Sequence, residues 1–385
     1  MNNTSAFDHL FSHFYCRYAY IASRMIVLTI SASLALTGCD NSGEHHFNDY
    51  HQRLANVLEV DPIPFHPQED LPSFPSTRDL YIPIDDIRIG LLDAYELRRC
   101  GLFQLIADRN SSLGKVQDKT RQLRYELLLL NGLERCLTQI IPTSRDNPIS
   151  QSLIEELTPI KQKKQQQLGA VIWNMLTTGK EWRQQFVLYP HTFAIDHLAG
   201  FTANLSAMED IFALLEYSQK QGYIENNQPT LSSIPNGIDE AIVNRLLTHQ
   251  EKIHRSRYFG QLFYSIANAT QWLNTTTQLL NQQENQIRCG KQRNQQQAEY
   301  LRNVFYRYYN PQIQPYLAEL DSQYRQIQPI LQQIFAQSPY QDPELITYKE
   351  TFIDGKAHQL FRKAVMDHTK FWQRTFQRCQ FKVGI

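Results

Sequence analysis

Apolar side chains recur every three or four residues through most of the chain after Asp85, which is the spacing of an amphipathic helix. Two stripes are the most regular. The first is Leu262, Ile266, Ala269, Leu273, Thr276 and Leu280, and the second is Ile313, Leu317, Leu320, Tyr324, Ile327, Leu331 and Ile334. Their alternation by four and three favours long helices packed at shallow angles. The pattern therefore predicts an all-α fold, an elongated multi-helix bundle.

Shorter stripes and the turn residues between them predict the remaining helices. The expected ranges are about 45–60, 85–109, 115–140, 150–175, 198–221 and 355–381. The second has its apolar face at Ile87, Leu91, Ala94, Tyr95 and Leu102, and it forms a helical hairpin with the third. The last brings Leu360, Phe361, Ala364, Val365, Phe371, Trp372 and Phe376 to the core. Residues 181–200 are less regular, and 226–237 is expected to be a loop.

Proline interrupts the pattern early in the chain. The prolines are Pro62, Pro64, Pro67, Pro72, Pro75 and Pro83. Each fixes φ and removes a hydrogen-bond donor, so neither a helix nor a central strand is compatible with the segment. Its apolar residues are Ile63, Phe65, Leu71, Phe74, Leu80, Tyr81 and Ile82, and they would be exposed on a free linker. We therefore expect an extended strap lying over the helices.

The amino end has the pattern of an export leader. Arg24 precedes a twelve-residue apolar run, Met25 to Leu36, which is too short for a stable transmembrane helix. The following Leu36-Thr37-Gly38-Cys39 resembles the lipobox of bacterial lipoproteins, in which the cysteine is acylated and becomes the first mature residue. The expected organisation is a lipoprotein signal peptide (1–38), a tether with a short helix and the strap (39–84), and a helical bundle (85–385).

The residues after Cys39 bear on the choice of membrane. Asp40-Asn41 resembles the retention signal that keeps a lipoprotein of enteric bacteria in the inner membrane. A carboxylate held beside the bilayer by acyl chains lies within a Debye length of the lipid head groups. The expected location is the cell envelope, with the protein anchored by lipid on Cys39 and facing the periplasm, and with the inner membrane favoured over the outer.

Charge adds little to this picture. The chain has 38 basic and 38 acidic residues, and loss of Asp8, Arg17 and Arg24 with the leader leaves 36 and 37. A near-neutral chain lacks the basic surface that nucleic acid requires, and it has no polybasic tail for anionic lipid. The partners expected are the membrane, reached through the lipid, and an envelope protein.

Four cysteines remain beyond Cys39: Cys100, Cys136, Cys289 and Cys379. An even number in an exported chain suggests two disulfides, for which three pairings are possible. The sequence-local pairing, Cys100–Cys136 and Cys289–Cys379, is preferred. In a straight hairpin the first two would lie about 16 Å apart at the helical rise, so the helix carrying Cys100 would have to break, most readily at Gly101.

Local catalytic signatures do not occur in the sequence: there is no GxSxG, HExxH, GxxxxGK or GxGxxG. Ser112 and Lys115 have Ser-x-x-Lys spacing without its usual companion motifs. Arg109, Ser111, Ser112 and Lys115 gather cations and hydroxyls at a helix start, where an anion could bind. Helix capping by Ser111 or Ser112 is the competing interpretation.

Histidine and carboxylate pairs give weaker hypotheses. Asp196-His197, Glu209-Asp210 and Asp367-His368 could each supply an acid, a base or a ligand, although neighbours on a helix face different directions. His45, His46 and His51 could bind a metal adventitiously. Solvated positions are the default expectation for all of these side chains, with no cofactor and no metal site.

The stretch from Cys100 to Val116, followed by Arg124-Tyr125-Glu126 and Cys136, resembles a family of proteobacterial envelope lipoproteins known only as a domain of unknown function. The resemblance implies a helical envelope lipoprotein and carries over no functional residue beyond Cys39. The sequence therefore favours a non-enzymatic helical interaction module of the envelope. The alternative is a binding or hydrolytic domain that acts on an anionic envelope component through Arg109 and Lys115.

Overall fold

The computed structural model describes residues 41–87, 89, 95, 97–140, 151–223, 238–289 and 295–381. Residues 42–385 form one compact unit. Its α-helices of six or more residues are α1 (Gly43–Leu58), α2 (Phe103–Asn110), α3 (Lys119–Arg135), α4 (Gln151–Thr178), α5 (Phe201–Tyr223), α6 (Glu240–Ile253), α7 (Tyr258–Gln282), α8 (Gln296–Val304), α9 (Gln314–Ala336), α10 (Pro343–Tyr348) and α11 (Lys356–Arg378). Single helical turns also occur at Ser112–Lys115 and Lys180–Arg183. No strand occurs within these ranges. The all-α prediction is confirmed.

Helix α7 lies at the centre of the unit. It packs against α11, α1 and α9, and it is buried at consecutive positions such as Phe259 and Gly260, or Leu279 and Leu280. Its few exposed residues, such as Asn274 and Gln278, are polar. Two of its buried polar side chains bond to other parts of the chain: Ser265 accepts from Phe193 N–H, and Thr277 Oγ1 lies 2.9 Å from His368 Nδ1.

The ends of several helices are determined by local sequence. The Ser42 side chain accepts from His45 N–H at the start of α1, Asp118 caps α3 by accepting from Arg121 N–H, and Asp342 caps α10. Such a cap stabilises a helix by about 1 kcal/mol, because the first-turn N–H groups have no partner within the helix.

The proline-rich segment runs over the helices without helix or strand from residue 61 to 87. The Phe65 ring stacks on Trp272 of α7 at 4.1 Å, and Phe74 stacks on Phe186 at 5.4 Å. The Asn174 side chain of α4 accepts from Ile82 N–H and donates to Ile82 C=O, as a neighbouring strand would. Strap and helices thus share one core.

The helix predicted over 85–109 is wrong at most of its described residues before Phe103. Residues 97–100 form a single 3-10 turn, Gly101 takes the left-handed φ of 72°, and only α2 is a regular helix. Tyr95, predicted on the apolar face, is 56% exposed. The reason is the disulfide: this break brings the Cα atoms of Cys100 and Cys136 to 5.3 Å, as their pairing requires.

Both predicted disulfides are present. Cys100–Cys136 lies in a small second core with Leu97, Leu102 and Leu133. Cys289–Cys379 joins the segment after α7 to the end of α11, with the Cα atoms 4.7 Å apart. The preferred one of the three pairings is therefore confirmed.

Other boundaries differ from the prediction by a few residues. The turns of 305–313 are π-helical, with i to i+5 hydrogen bonds, and they join α8 to α9. Leu360, predicted in the core, is 50% exposed, because it lies one residue outside the buried stripe of α11. The predicted loop at 226–237 and residues 1–40 lie outside the described residues.

Candidate functional site: an aromatic groove between α9 and α11

A groove of about 750 Å³ opens between the π-helical segment with α9 on one side and α11 on the other. We call it the aromatic groove. Its lining residues are Phe305, Tyr306, Tyr309, Asn310, Gln314, Leu317, Ala318, Asp321, Phe361, Arg362, Val365, Met366, Thr369, Trp372, Gln373 and Phe376. Its volume and apolar character are those of a small-molecule site.

The sequence forms both walls by helical spacing. On α9, Gln314, Leu317, Ala318 and Asp321 are three and four residues apart and therefore share a face. The wall of α11 follows the same spacing from Phe361 to Phe376. The π-helical segment contains Pro311, which has no N–H to donate, and π-helical turns are frequent at functional sites.

The base of the groove is formed by side chains that are almost completely buried. Leu317, Phe361 and Trp372 line it and yet are each no more than 3% exposed. At the mouth, Met366 is 54% exposed. Met is flexible and adapts to ligands of different shape, so the mouth can adjust while the base is held by packing.

One end of the groove is aromatic. The Phe305 ring lies 4.9 Å from Trp372 and 5.0 Å from Phe376, and the Tyr306 ring stacks on Phe376 at 5.9 Å. These contacts join the π-helical segment directly to α11. The two walls therefore meet at this end.

The other end carries charge. Asp321 lies 2.7 Å from His358, 3.6 Å from Arg362 and 3.7 Å from Arg325. Burial lowers the pKa of His358, although its hydrogen bond to Asp321 acts in the opposite direction. Two guanidinium groups thus face one carboxylate, so the arginines outnumber the acid at this end of the groove.

A buried polar network lies behind the aromatic wall. Trp372 Nε1 donates to Tyr50 Oη at 3.0 Å and to His368 Nε2 at 3.1 Å. Tyr50 Oη lies 3.0 Å from the same His368 nitrogen, and Thr277 Oγ1 lies 2.9 Å from His368 Nδ1. Because an indole N–H can only donate, Nε2 is the acceptor and the proton of His368 lies on Nδ1.

His368 is held neutral. It is completely buried, and this burial lowers its pKa to about 3. Both of its ring nitrogens are used in hydrogen bonds within the protein. The network therefore fixes the position of Trp372, which lines the groove on α11, through contacts with α1 and α7.

The predicted anion-binding turn is used internally. The Ser111 side chain accepts from Gly114 N–H at 3.0 Å, and the Arg109 guanidinium donates to Gly114 C=O. Arg109 and Lys115 border a cavity of about 20 Å³, beside the Glu126–Lys164 ion pair, which has room for about one water molecule. Ser111 thus acts as the helix cap of the competing interpretation, Ser112 is exposed, and anion binding stays a prediction.

Cys39 and Asp40, the predicted lipidation and sorting residues, lie outside the described residues, and Asn41 is the first residue described.

The three histidines near the amino end, His45, His46 and His51, lie within the described residues. His51, predicted to be solvated, is buried and bonds to Thr276 and Ile63 C=O. Within the described ranges, no three His, Cys, Asp or Glu side chains are arranged to hold a metal ion.

Asp210 and His368, each predicted as one of an adjacent pair, bond instead to residues distant in sequence. Asp210 accepts from Arg245 in a two-point contact and bonds His249 at 2.8 Å. Asp367 pairs with exposed Lys363, whereas adjacent His368 points into the core. As expected, adjacent residues on these helices face different directions. The prediction that Asp210 and His368 are solvated is wrong, because both side chains are buried.

The aromatic groove itself was missed by sequence reasoning. Phe361, Val365, Trp372 and Phe376 were assigned to the core because their spacing marks an apolar face. Two features of the sequence indicate the groove in part. The apolar Met366 makes the apolar face of α11 wider than a core-facing stripe, and Pro311 interrupts the helical pattern of the opposite wall.

Together these features define a class: an all-α protein with two disulfides and an open, predominantly apolar groove. The chain belongs to the family described as Protein of unknown function (DUF3080), whose model matches residues 47–383. Comparison with curated proteins and with solved structures gives no match. In the part of the chain that is described, no helix is sufficiently long and apolar to cross a membrane.

Proposed function

We propose that this protein is a lipid-anchored lipoprotein of the cell envelope that faces the periplasm and acts by binding, without catalysis, through the aromatic groove. The observation that carries the binding role is the groove itself, which is large and predominantly apolar. The two disulfides support export, because thiols in the cytosol are kept reduced.

The lipid anchor is proposed from the Leu36 to Cys39 motif. Replacing Cys39 with Ser removes the thiol that receives the lipid. We expect uncleaved precursor to accumulate and the mature, detergent-partitioning form to be lost. The measurement is detergent phase separation followed by immunoblotting, with Cys16→Ser, upstream of the apolar run, as the matched control. Wild-type protein that stays in the aqueous phase would contradict the anchor.

The choice of membrane is proposed from Asp40. Replacing Asp40 with Ser should move the protein from the inner to the outer membrane, because the carboxylate that engages lipid head groups is lost. Density-gradient separation of the two membranes measures the shift, and Asn41→Ser tests how much the second residue contributes. The proposal fails if wild-type protein is already in the heavy outer-membrane fraction, and that result leaves the lipid anchor untouched.

A further inference from the structure

We propose that the aromatic groove binds a single long-chain fatty acid, with its carboxylate at the Arg362 end and its alkyl chain along the aromatic wall of α11. The inference rests on the proposed binding role of the groove, and it does not depend on the lipid anchor. It gives that role a ligand class, an orientation and a stoichiometry of one.

The volume of the groove favours a single alkyl chain over a polypeptide helix. At about 750 Å³ it lies in the range of sites that enclose one small molecule. One acyl chain is a ligand of that size, whereas an α-helix with its side chains is about 10–12 Å wide.

The length of the groove suits one acyl chain. From Arg362 to Phe376 there are 14 helical steps, and these span about 21 Å at the rise of an α-helix. The hydrocarbon core of a bilayer is about 30 Å thick, so the chains of one leaflet extend about half that distance. A long acyl chain therefore fits between the charged end and the end where Tyr306 and Phe376 meet.

Charge complementarity determines the head group and its direction. At one end, Arg325 and Arg362 share the single carboxylate of Asp321, and both guanidinium groups are more than 60% exposed. A ligand carboxylate there would accept hydrogen bonds from Arg362 and balance the second positive charge. At the opposite end the rings of Phe305, Tyr306 and Phe376 meet, and they suit the terminal part of an alkyl chain.

A displacement assay tests the inference without detergent, which would compete for the groove. The protein used is the unlipidated unit from Ser42, secreted with both disulfides, because residues 42–385 form one compact unit. Dansylamino-undecanoate serves as the fluorescent probe, and hexadecanoate, octanoate, hexadecan-1-ol and hexadecylammonium serve as competitors. We expect one saturable site, displaced by hexadecanoate at least 100-fold more readily than by octanoate, since each buried methylene contributes about 0.8 kcal/mol.

Two variants locate the site, each with a matched control. Ala318 is exposed on the α9 wall, so Ala318→Trp fills the groove without disturbing the core and should abolish probe binding. Ala241→Trp, exposed on α6, should bind as the wild type does. Arg362→Gln should weaken hexadecanoate about 5-fold, the size of an exposed ion pair, and leave hexadecan-1-ol unchanged. Lys363→Gln, next in sequence, should affect neither ligand.

Thermal unfolding of each variant separates loss of the site from loss of the fold. Equal displacement by hexadecylammonium and hexadecanoate would overturn the head-group assignment, and full probe binding by Ala318→Trp would overturn the location. If the folded wild-type unit binds no amphiphile, the fatty-acid inference is wrong and the groove is left to a protein partner. That result would leave the binding role and the membrane anchor to their own tests.

Discussion

Lowering the pH from 7 to 4 is expected to reduce the free energy of unfolding by about 3 kcal/mol through His368 alone. Burial lowers the pKa of His368 from 6.5 to about 3 in the folded protein, whereas the unfolded chain binds its proton at the ordinary value. Between those two pH values the unfolded state holds more protons, so stability falls as the pH falls. Burial also lowers the pKa values of His51 and His358, and these act in the same direction.

Urea unfolding at pH 7, 6, 5 and 4 measures this dependence. His368→Gln should be less stable than the wild type at pH 7, because the bonds to Tyr50 and Thr277 are disturbed. Its free energy of unfolding should fall about 3 kcal/mol less on acidification, so the two proteins approach one another at pH 4. His197→Gln, at an exposed position, should keep the wild-type slope. An unchanged slope in His368→Gln would contradict a lowered pKa of His368 in the folded protein, because only a pKa that differs between the two states contributes to the slope.

Replacing both Cys289 and Cys379 with Ala is expected to lower the free energy of unfolding by about 4–5 kcal/mol. The bond closes a loop with a sequence separation of 90 residues, which includes α8 to α11. It therefore restricts the unfolded chain more than Cys100–Cys136, whose separation is 36 residues. Alanine replacement of that second pair should cost less, about 4 kcal/mol.

Urea unfolding of the two double variants compares these losses directly. Thiol labelling of the unfolded, unreduced mature protein provides a separate check, and none of the four cysteines should react. Four reactive thiols would contradict both disulfides. A smaller loss for Cys289→Ala/Cys379→Ala than for the other pair would contradict the dependence on loop length.

The sequence predicted the helices best where their pattern is local. The stripes of α7 and α9 repeat every three to four residues, and Ser42, Asp118 and Asp342 are N-caps read directly from neighbouring residues. The disulfide pairing was also accessible, because partners near in sequence close the shortest loops. The helix predicted from Asp85 failed because a covalent bond to Cys136 overrides the helical pattern around Cys100.

By itself, therefore, the sequence determined the all-α class, the paired cysteines and the expectation of export and lipidation. Only the tertiary structure decided that the apolar face of α11 lines an open groove, and that His368 is neutral. Periodicity identifies the apolar face of each helix, but it cannot show which helix lies opposite or how wide a gap remains. The pKa of His368 depends likewise on its complete burial and on bonds to Tyr50 and Thr277, which lie 318 and 91 residues away in sequence.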